Sequence, residues 1–293
     1  VGGEIAKYAN AASMQSKGFE LSFNTVNLDS KKFKWNSDFV FSNATNKITN
    51  LESRSNVITL ISGSGYARED YPVRSLFSIP FQGLNNEGLP TFTNQDGVKT
   101  ISDIYFQEYE KLDFLIYEGP SDPIITGGLG NSFSWNNFKF NIFMTYSFGN
   151  VVRLDPAFRA SYSDLSAMPK EFKNRWVIPG EEEITDIPVI ASKRQVQHYN
   201  QLSYAYNAYN YSNARIAKGD FIRMKEISLA YNLPQKIIEN TQIKNVSLRF
   251  QATNLFLIYS DKKLNGQDPE FFNSGGVAVP LPKQFTMSLN VSL

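Results

Sequence analysis

A period of two in the apolar residues constrains this chain more than any other feature. Between residues 138 and 149, apolar side chains alternate with mostly polar ones, and the apolar set is Phe138, Phe140, Ile142, Met144, Tyr146 and Phe148. Successive side chains of a strand point to opposite faces, so the pattern predicts a strand with one apolar face. Similar alternation elsewhere predicts seven strands in total, at 18–28, 33–45, 128–135, 138–149, 220–233, 244–258 and 284–293.

The connections between the predicted strands are alternately short and long. The short ones are 29–32, 136–137 and 234–243, and the long ones are 46–127, 150–219 and 259–283. Consecutive antiparallel strands place their connections at opposite ends of a sheet. Outer-membrane β-barrels use this alternation, with short periplasmic turns and long extracellular loops. A soluble sandwich instead has turn signals every ~8–12 residues.

We therefore predict an all-β fold whose antiparallel strands form part of a large transmembrane β-barrel. The C-terminus is predicted to be periplasmic, which makes the three long connections extracellular. The six apolar side chains of 138–148 are predicted to face lipid, and Lys139 and Arg249 to face the lumen, because charges on the lipid face are destabilising. Seven strands cannot close by themselves, since an open sheet in lipid leaves backbone groups unpaired. The remainder of the barrel is expected from the same chain or a second one.

Composition removes several classes of function. The 293 residues include no cysteine, which excludes disulfides and thiolate metal sites, and His198 is the single histidine, which excludes multi-histidine zinc sites. The net charge of +1 gives no electrostatic reason to expect nucleic acid. No apolar run reaches the ~18–20 residues of a spanning helix. Because the chain begins at Val1 without a leader, we expect a removed signal sequence or a longer parent protein.

Eight segments carry recognisable motifs in a fixed order. They are MQSKGFELSF, KFKWNSDFVFS, DPIITGGLGNSFSWNNFKFNIFMTYSFGN (122–150), NRWVIPGEEEITDIP (174–188), GDFIRMKEISLAYNLP (219–234), VSLRFQATNLF (246–256), DPEFFNSGG (268–276) and VPLPKQFTMSLNVSL. Together these segments resemble the C-terminal quarter to third of the SusC-like TonB-dependent outer-membrane transporters of the Bacteroidetes. The resemblance extends over almost the whole chain.

The resemblance implies a multi-pass barrel of about 22 strands in the bacterial outer membrane. It implies a transporter rather than an enzyme, without a cofactor. The implied partners are outer-membrane lipid, a plug domain, TonB in the periplasm, and a SusD-like lipoprotein that delivers glycans or peptides. The plug finds no match in this sequence. The implied C-terminal assembly strand carries Phe285, Met287, Leu289, Val291 and Leu293, and Leu293 stands where the family usually has an aromatic residue.

A tyrosine-rich segment is the candidate for contact with cargo or with a lipoprotein lid. It contains Tyr204, Tyr206, Tyr209 and Tyr211, interleaved with asparagines. Flat apolar rings with directional hydrogen bonds suit both sugar rings and peptide backbones. Tyrosine also packs loops internally. Cargo contact, lid contact and internal packing are therefore all open interpretations.

Two groups of acidic residues have alternative interpretations. Glu181, Glu182 and Glu183, with Asp186, can be read as catalytic carboxylates, as oxygen ligands for calcium, or as a solvated loop, and we favour the loop. We interpret Asp268 and Glu270 as structural residues of a turn or packed loop.

Three further features carry no predicted function. Gly63-Ser64-Gly65 and the glycines of 127–130 complete no phosphate loop, nucleophile elbow or dinucleotide fingerprint. His198 is interpreted as a loop histidine without a catalytic role.

Two rival functions stay open. One is a soluble all-β cell-surface module that binds carbohydrate or acts as an adhesin, which predicts a monodisperse protein without detergent. The other is a fragment of a β-rich glycoside hydrolase, which requires two carboxylates converging in a cleft.

Overall fold

The computed structural model describes residues 12–62, 68–162, 168–199, 201–271 and 282–292. Its strands, in chain order, are β1 (Ala12–Asp29), β2 (Phe33–Leu51), β3 (Ser75–Ser78), β4 (Phe81–Leu84), β5 (Pro90–Thr93), β6 (Lys99–Thr100), β7 (Ile116–Pro120), β8 (Ile125–Trp135), β9 (Phe138–Phe148), β10 (Val151–Arg153), β11 (Ile216–Lys218), β12 (Phe221–Asn232), β13 (Asn245–Ser260) and β14 (Gln284–Ser292). Its α-helices are α1 (Val57–Ile61), α2 (Lys193–His198), α3 (Leu202–Asn210) and α4 (Gln235–Ile238), and its 3₁₀ helices span Lys170–Asn174, Glu181–Glu183, Asn213–Arg215, Lys262–Leu264 and Pro269–Phe271.

The chain divides into two compact units. The first unit comprises Thr45–Asp122 and Val151–Ala217 with the residues up to Ser16, and we call it the loop unit. The second comprises Lys17–Ala44, Pro123–Asn150 and Lys218–Leu293, and we call it the sheet unit. Among the described residues, no helix combines the length and the apolar character needed to cross a membrane.

The sheet unit is built on seven strands in the order β1-β2-β8-β9-β12-β13-β14. Strands that are adjacent in the sheet therefore follow one another along the chain. The pairs from β2–β8 to β13–β14 are antiparallel. All seven predicted strands occur in this sheet. The largest differences in length are in β1, which begins at Ala12, and β2, which ends at Leu51.

One face of the sheet is continuously apolar, because the register aligns the apolar positions of neighbouring strands. Phe140 lies opposite Phe133 on one side and Leu229 on the other. Leu229 lies opposite Phe250, which in turn lies opposite Met287. Residues directly opposite one another share a face. The row therefore crosses five strands without a polar side chain.

The apolar face is uncovered over much of β13 and β14. Phe250 is 49% exposed and Phe256 is 52% exposed. On β14 the exposed fractions are 78% for Phe285, and 64% for both Met287 and Leu289. Contiguous apolar surface of this kind marks an interaction site or a surface covered by another phase.

The opposite face carries the charged and polar side chains. Ala230 lies opposite Lys139 and Arg249, so both cations lie on the face of the sheet opposite to that of Phe140 and Phe250. The Arg249 guanidinium forms an ion pair with Glu226 at 3.0 Å. This is the separation of charged and apolar residues that the period of two predicts.

The three short connections lie at one end of the sheet, and aromatic rings gather there. The Trp135 and Phe138 rings stack with centroids 6.4 Å apart, and Phe138 lies 4.6 Å from the Tyr231 ring. The turn between β8 and β9 consists of two residues, and its Asn136 has a positive φ of 50°. Asparagine tolerates this left-handed conformation better than most residues do.

A glycine lets one tyrosine of the apolar face reach across a neighbouring strand. The Tyr146 hydroxyl donates to the Val40 carbonyl at 2.9 Å, and the ring passes over Gly127 on the intervening strand. A Cβ atom on Gly127 would lie 2.3 Å from the Tyr146 hydroxyl oxygen. A side chain at position 127 is therefore incompatible with this contact.

The loop unit is folded, although its two main segments, Thr45–Asp122 and Val151–Ala217, lie almost entirely in the connections 46–127 and 150–219, which were predicted as long loops. Its short strands and helices surround a hydrophobic core, which contains Val57, Leu60, Ile61, Phe77, Ile79, Leu89, Phe92, Ile104, Phe106, Leu115, Phe158, Phe172, Leu202, Ala205, Tyr206, Ala208 and Tyr209. The two segments contribute jointly, since Ile79 forms a parallel bridge with Ser212. The first segment contributes the core residues from Val57 to Leu115, and the second contributes those from Phe158 to Tyr209.

Candidate functional site: a pocket beside helix α3

Helix α3 forms from the tyrosine-rich segment because its apolar residues recur with helical spacing. Leu202, Ala205, Tyr206 and Tyr209 are buried, at positions i, i+3, i+4 and i+7. The spacing places them on one face, which packs into the core of the loop unit. Ser203, Tyr204 and Asn207 lie on the other face and are exposed.

Two of the four tyrosines proposed as contact residues are core residues instead. Tyr206 is 1% exposed and Tyr209 is 2% exposed. The Tyr206 hydroxyl donates to the Val189 carbonyl at 2.5 Å, and the Tyr209 ring makes an edge contact with Phe158 at 5.0 Å. Burial raises the pKa of both phenols, which stay neutral. Of the three interpretations left open for the tyrosines, internal packing describes these two, because the helix turns both side chains inward.

Tyr204 and Tyr211 retain accessible surface. Tyr204 is 46% exposed and its ring lies 6.1 Å from that of Phe106. Tyr211 is half-buried, and the Arg153 guanidinium lies 5.5 Å from its ring centroid. Burial lowers the pKa of Arg153 to about 10, which leaves the guanidinium charged at neutral pH. These two rings remain available for a ligand.

Asn210, the last residue of α3, holds the backbone of Phe158 beside the helix. Its side-chain amide donates to the Phe158 carbonyl at 2.8 Å, and the Phe158 amide donates back to its side-chain oxygen at 3.1 Å. Asn210 is 4% exposed, so both hydrogen bonds are shielded from water. The paired bonds fix the backbone on both sides of Phe158. Sequence reasoning missed this role of Asn210.

A pocket of about 610 Å³ lies between α3 and segment 156–161. Its lining residues are Pro156, Phe158, Arg159, Ala160, Ser161, Ser203, Tyr204, Tyr206, Asn207, Asn210 and Tyr211. Pockets for small ligands typically measure ~300–1,000 Å³ and combine aromatic walls with a few polar groups. Arg159 supplies the single formal charge among these lining residues. The sequence offered no signal for Phe158 and Arg159, since their segment has neither motif nor periodicity.

In the acidic run 181–183, the side chains of Glu181 and Glu182 accept hydrogen bonds from residues of the same loop. A Glu181 carboxylate oxygen accepts from the Val177 amide at 2.6 Å. A Glu182 oxygen accepts from the Trp176 indole and from the Gly180 amide, both at 2.8 Å. Within the described ranges, no three acidic or histidine side chains cluster in a way that could hold a metal ion. The carboxylates act as caps for backbone and indole donors.

We expect the Glu182 contact to fail in acid. The Trp176 indole, which donates to the carboxylate, lowers the pKa of Glu182, and the Gly180 amide adds to the effect. A lowered pKa means that the contact is intact above the ordinary glutamate pKa of ~4.3 and is lost as the pH falls through the lowered value. At neutral pH, Glu182→Gln is therefore expected to accelerate amide hydrogen exchange in 176–189 several-fold, as measured by mass spectrometry.

The difference between variant and wild type is expected to shrink below about pH 4, once the wild-type carboxylate is protonated. The exposed neighbour Glu183 provides the control, because Glu183→Gln removes the same charge without removing the indole contact. If the difference in exchange rate between Glu182→Gln and the wild type stays the same in acid, the Glu182 carboxylate is not its cause.

Asp268 and Glu270 form a buried ion-pair cluster with Arg223 in the sheet unit. The Arg223 guanidinium is 7% exposed and pairs with the Asp268 carboxylate, and its Nε lies 3.2 Å from a Glu270 oxygen. The Asp268 carboxylate also accepts from the Glu270 amide at 3.1 Å. This arrangement matches the structural role that we predicted for the two acidic residues.

The remaining predicted residues are distributed as follows. His198 ends α2, and its ring makes an edge contact with Tyr199 at 4.8 Å. In β14, Phe285, Met287, Leu289 and Val291 lie opposite Ala252, Phe250, Leu248 and Val246. Leu293 and Gly63-Ser64-Gly65 lie outside the described residues.

Comparison of the sequence with characterised proteins finds relatives among bacterial receptors. TonB-dependent receptor P26 of Formosa agariphila is 26% identical over 315 residues, which cover 97% of this chain and 29% of that receptor. TonB-dependent receptor P3 of the same species is 24% identical over 284 residues, which cover 92% of this chain and 26% of that receptor. No protein-family model matches the chain.

Comparison of the structure finds solved transporters with the same fold. The structure of the RagAB peptide transporter matches with a TM-score of 0.72 at 20% identity, over 98% of this chain and 30% of that one. The RagAB peptide importer in its closed-closed state matches with a TM-score of 0.73 at 21% identity, over 97% of this chain and 30% of that one. The chain is thus related to the TonB-dependent receptors over 26–29% of their length, and it has the fold of the corresponding part of the RagAB transporters.

Proposed function

We propose that this chain is the C-terminal section of a TonB-dependent importer of oligomeric nutrients in the bacterial outer membrane. The seven-stranded sheet forms part of the barrel wall, with its apolar face against lipid and its C-terminus in the periplasm. The loop unit is extracellular and contacts cargo. A SusD-like lipoprotein covers it from outside, and the remaining strands and the plug, on which TonB acts, come from the rest of the receptor.

The uncovered apolar face of the sheet is the observation that carries this proposal. The row from Phe133 through Phe140 runs unbroken across five strands, and Met287 at its far end is 64% exposed. Water is a poor solvent for such a surface, whereas lipid is a good one. The relatives support the same reading, since they are named as receptors and as peptide transporters.

The soluble module explains the sheet less well. A soluble sandwich covers each inner sheet face with a second sheet about 10 Å away. The hydrophobic core described above lies in the loop unit, and the apolar face of the sheet contributes none of its residues. A hydrolase is equally poorly supported, because Glu181 and Glu182 are engaged with their own loop.

The native mass and composition of the detergent-extracted complex tests the proposed function. The proposal expects the chain to be recovered from outer membranes in detergent, covalently or tightly joined to a plug and roughly fifteen further strands. A lipoprotein is expected to copurify. Recovery of this chain alone as a monodisperse species in aqueous buffer would overturn the importer and favour the soluble module.

A further inference from the structure

We propose that the pocket beside α3 binds a carboxylate of a peptide ligand, and that Arg159 is the residue that selects it. The inference rests on the proposed function, because it assigns a ligand class to the extracellular loop unit. Four features of the pocket carry it: its charge, its aromatic walls, its neutral polar groups and its fixed backbone.

The charge of the pocket favours an anion. Arg159 is exposed and lines the pocket, and none of the lining residues is acidic. In the part of the chain that the structure describes, no carboxylate lies within ion-pair distance of its guanidinium. A guanidinium presents donors in a planar fork that matches a carboxylate, and the resulting bonds are stronger than neutral ones.

The walls favour a carboxylate attached to an amino-acid residue. Tyr204 and Tyr211 provide flat apolar faces, while Ser161, Ser203 and Asn207 provide neutral donors and acceptors. Ser203 and Asn207 are four residues apart on α3 and so lie side by side, which suits the donors and acceptors of a peptide backbone. Sugar hydroxyls are hydrogen-bond donors, and their hydrogen bonds are strongest when the acceptor is an anion. None of the lining residues carries a negative charge, so the pocket is less suited to a sugar.

The backbone that presents Arg159 is held in place before any ligand arrives. The preceding residue, Phe158, is fixed by its two hydrogen bonds to Asn210. The Arg159 amide itself donates to the Tyr162 hydroxyl at 2.8 Å. A preformed site loses less entropy on binding than a mobile loop does. The backbone that carries the guanidinium is therefore held before a carboxylate binds.

The test measures binding of a defined peptide to the complete receptor by isothermal titration calorimetry. The probe is the tetrapeptide Ala-Ala-Phe-Ala with an acetylated N-terminus, used with a free C-terminal carboxylate or with a C-terminal amide. The free acid is expected to bind up to about fivefold more tightly than the amide, because Arg159 is exposed and exposed charge pairs are weak. Arg159→Gln is expected to abolish this preference, and Arg159→Lys to retain part of it.

Arg194→Gln is the matched control, because Arg194 is an exposed arginine of the same unit that does not line the pocket. It is expected to leave the acid-to-amide ratio unchanged. Trigalacturonate, which carries carboxylates on sugar rings, is expected to bind more weakly than the peptide acid.

Three results would overturn the inference: equal affinity for acid and amide, absence of binding by both peptides, or tighter binding of trigalacturonate. Each is separable from failure of the proposed function. A receptor that assembles in the outer membrane with its plug, but shows no carboxylate preference, refutes only the ligand class. A chain that never enters the membrane refutes the importer.

Discussion

Arginine in place of Phe140 is expected to prevent the receptor from assembling in the outer membrane. Phe140 lies on the apolar face near the turn end of β9, opposite Phe133 and Leu229. An arginine on the lipid face costs about 2–4 kcal/mol at the bilayer midplane and ~0–1 kcal/mol near the interface. The substitution also removes the contact with the Phe133 ring, whose centroid lies 6.3 Å from that of Phe140. The measurement is the yield of folded receptor in outer-membrane fractions, scored by its heat-modifiable electrophoretic mobility.

The adjacent residue supplies the control for this prediction. Asn141 lies on the polar face, where its amide donates to the Ser228 hydroxyl at 3.1 Å. Asn141→Arg introduces the same side chain one position along the same strand, but on the face that already carries Lys139 and Arg249. It is expected to assemble at nearly the wild-type yield. Equal yields for the two variants would count against the assignment of the faces.

Removal of the Asp268 carboxylate is expected to produce the second large effect. Asp268→Ala leaves the 7%-exposed Arg223 guanidinium without its main partner. Breaking one side of a buried ion pair costs ~3–5 kcal/mol, because the remaining charge is then uncompensated. Glu270 stays 3.2 Å from Arg223 Nε and offsets part of the loss, so we expect about 3 kcal/mol. Urea unfolding of the receptor in lipid vesicles measures the free energy.

An exposed ion pair of the same unit gives the comparison. Asp29 pairs with Lys34 at 2.9 Å, and both side chains are 58% exposed. Exposed pairs contribute ~0–1 kcal/mol, so Asp29→Ala is expected to change the free energy of unfolding by less than about 1 kcal/mol. If Asp268→Ala has no larger effect than Asp29→Ala, the Arg223 cluster does not stabilise the sheet unit.

The sheet was predictable from the sequence because its signal is local and repeated. In β9 every second residue from Phe138 to Phe148 is apolar, and the strand ends within one residue of the prediction. A departure in β13 was also visible, since the alternation changes phase near Asn254. The structure has a positive φ of 54° at Asn254, and the β12–β13 register shifts beside it.

The loop unit was less predictable because its core joins residues that are distant in the sequence. Phe77 and Tyr209 belong to the same cluster, although 131 residues lie between them. Its strands β3 to β7, β10 and β11 span only two to five residues each, which is too short to establish a period. A local pattern decides the fold only where a strand or helix is long enough to repeat it.

In helix α3 the sequence pattern was informative but was not used. Leu202, Ala205, Tyr206 and Tyr209 have helical spacing, but tyrosine is ambivalent between surface and core. The segment was therefore interpreted by its residue type rather than by its period. Attention to the period would have separated the buried Tyr206 and Tyr209 from the accessible Tyr204 and Tyr211.

The ion-pair cluster marks the limit of sequence reasoning in the sheet unit. A structural role for Asp268 and Glu270 was predicted from their place in a loop that resembles the family. Their partner Arg223 lies 45 residues earlier, on β12. Only the return of the chain through β13 brings the loop back to that strand.

The most direct test of the barrel assignment is cysteine scanning along β9. The chain contains no cysteine, so single cysteines at 138 to 143 can each carry a fluorophore in the assembled receptor. Lipids bearing a nitroxide quencher are expected to quench positions 138, 140 and 142 and to spare 139, 141 and 143. Quenching that shows no alternation, or that follows the odd-numbered positions, would contradict a sheet whose apolar face lies against lipid.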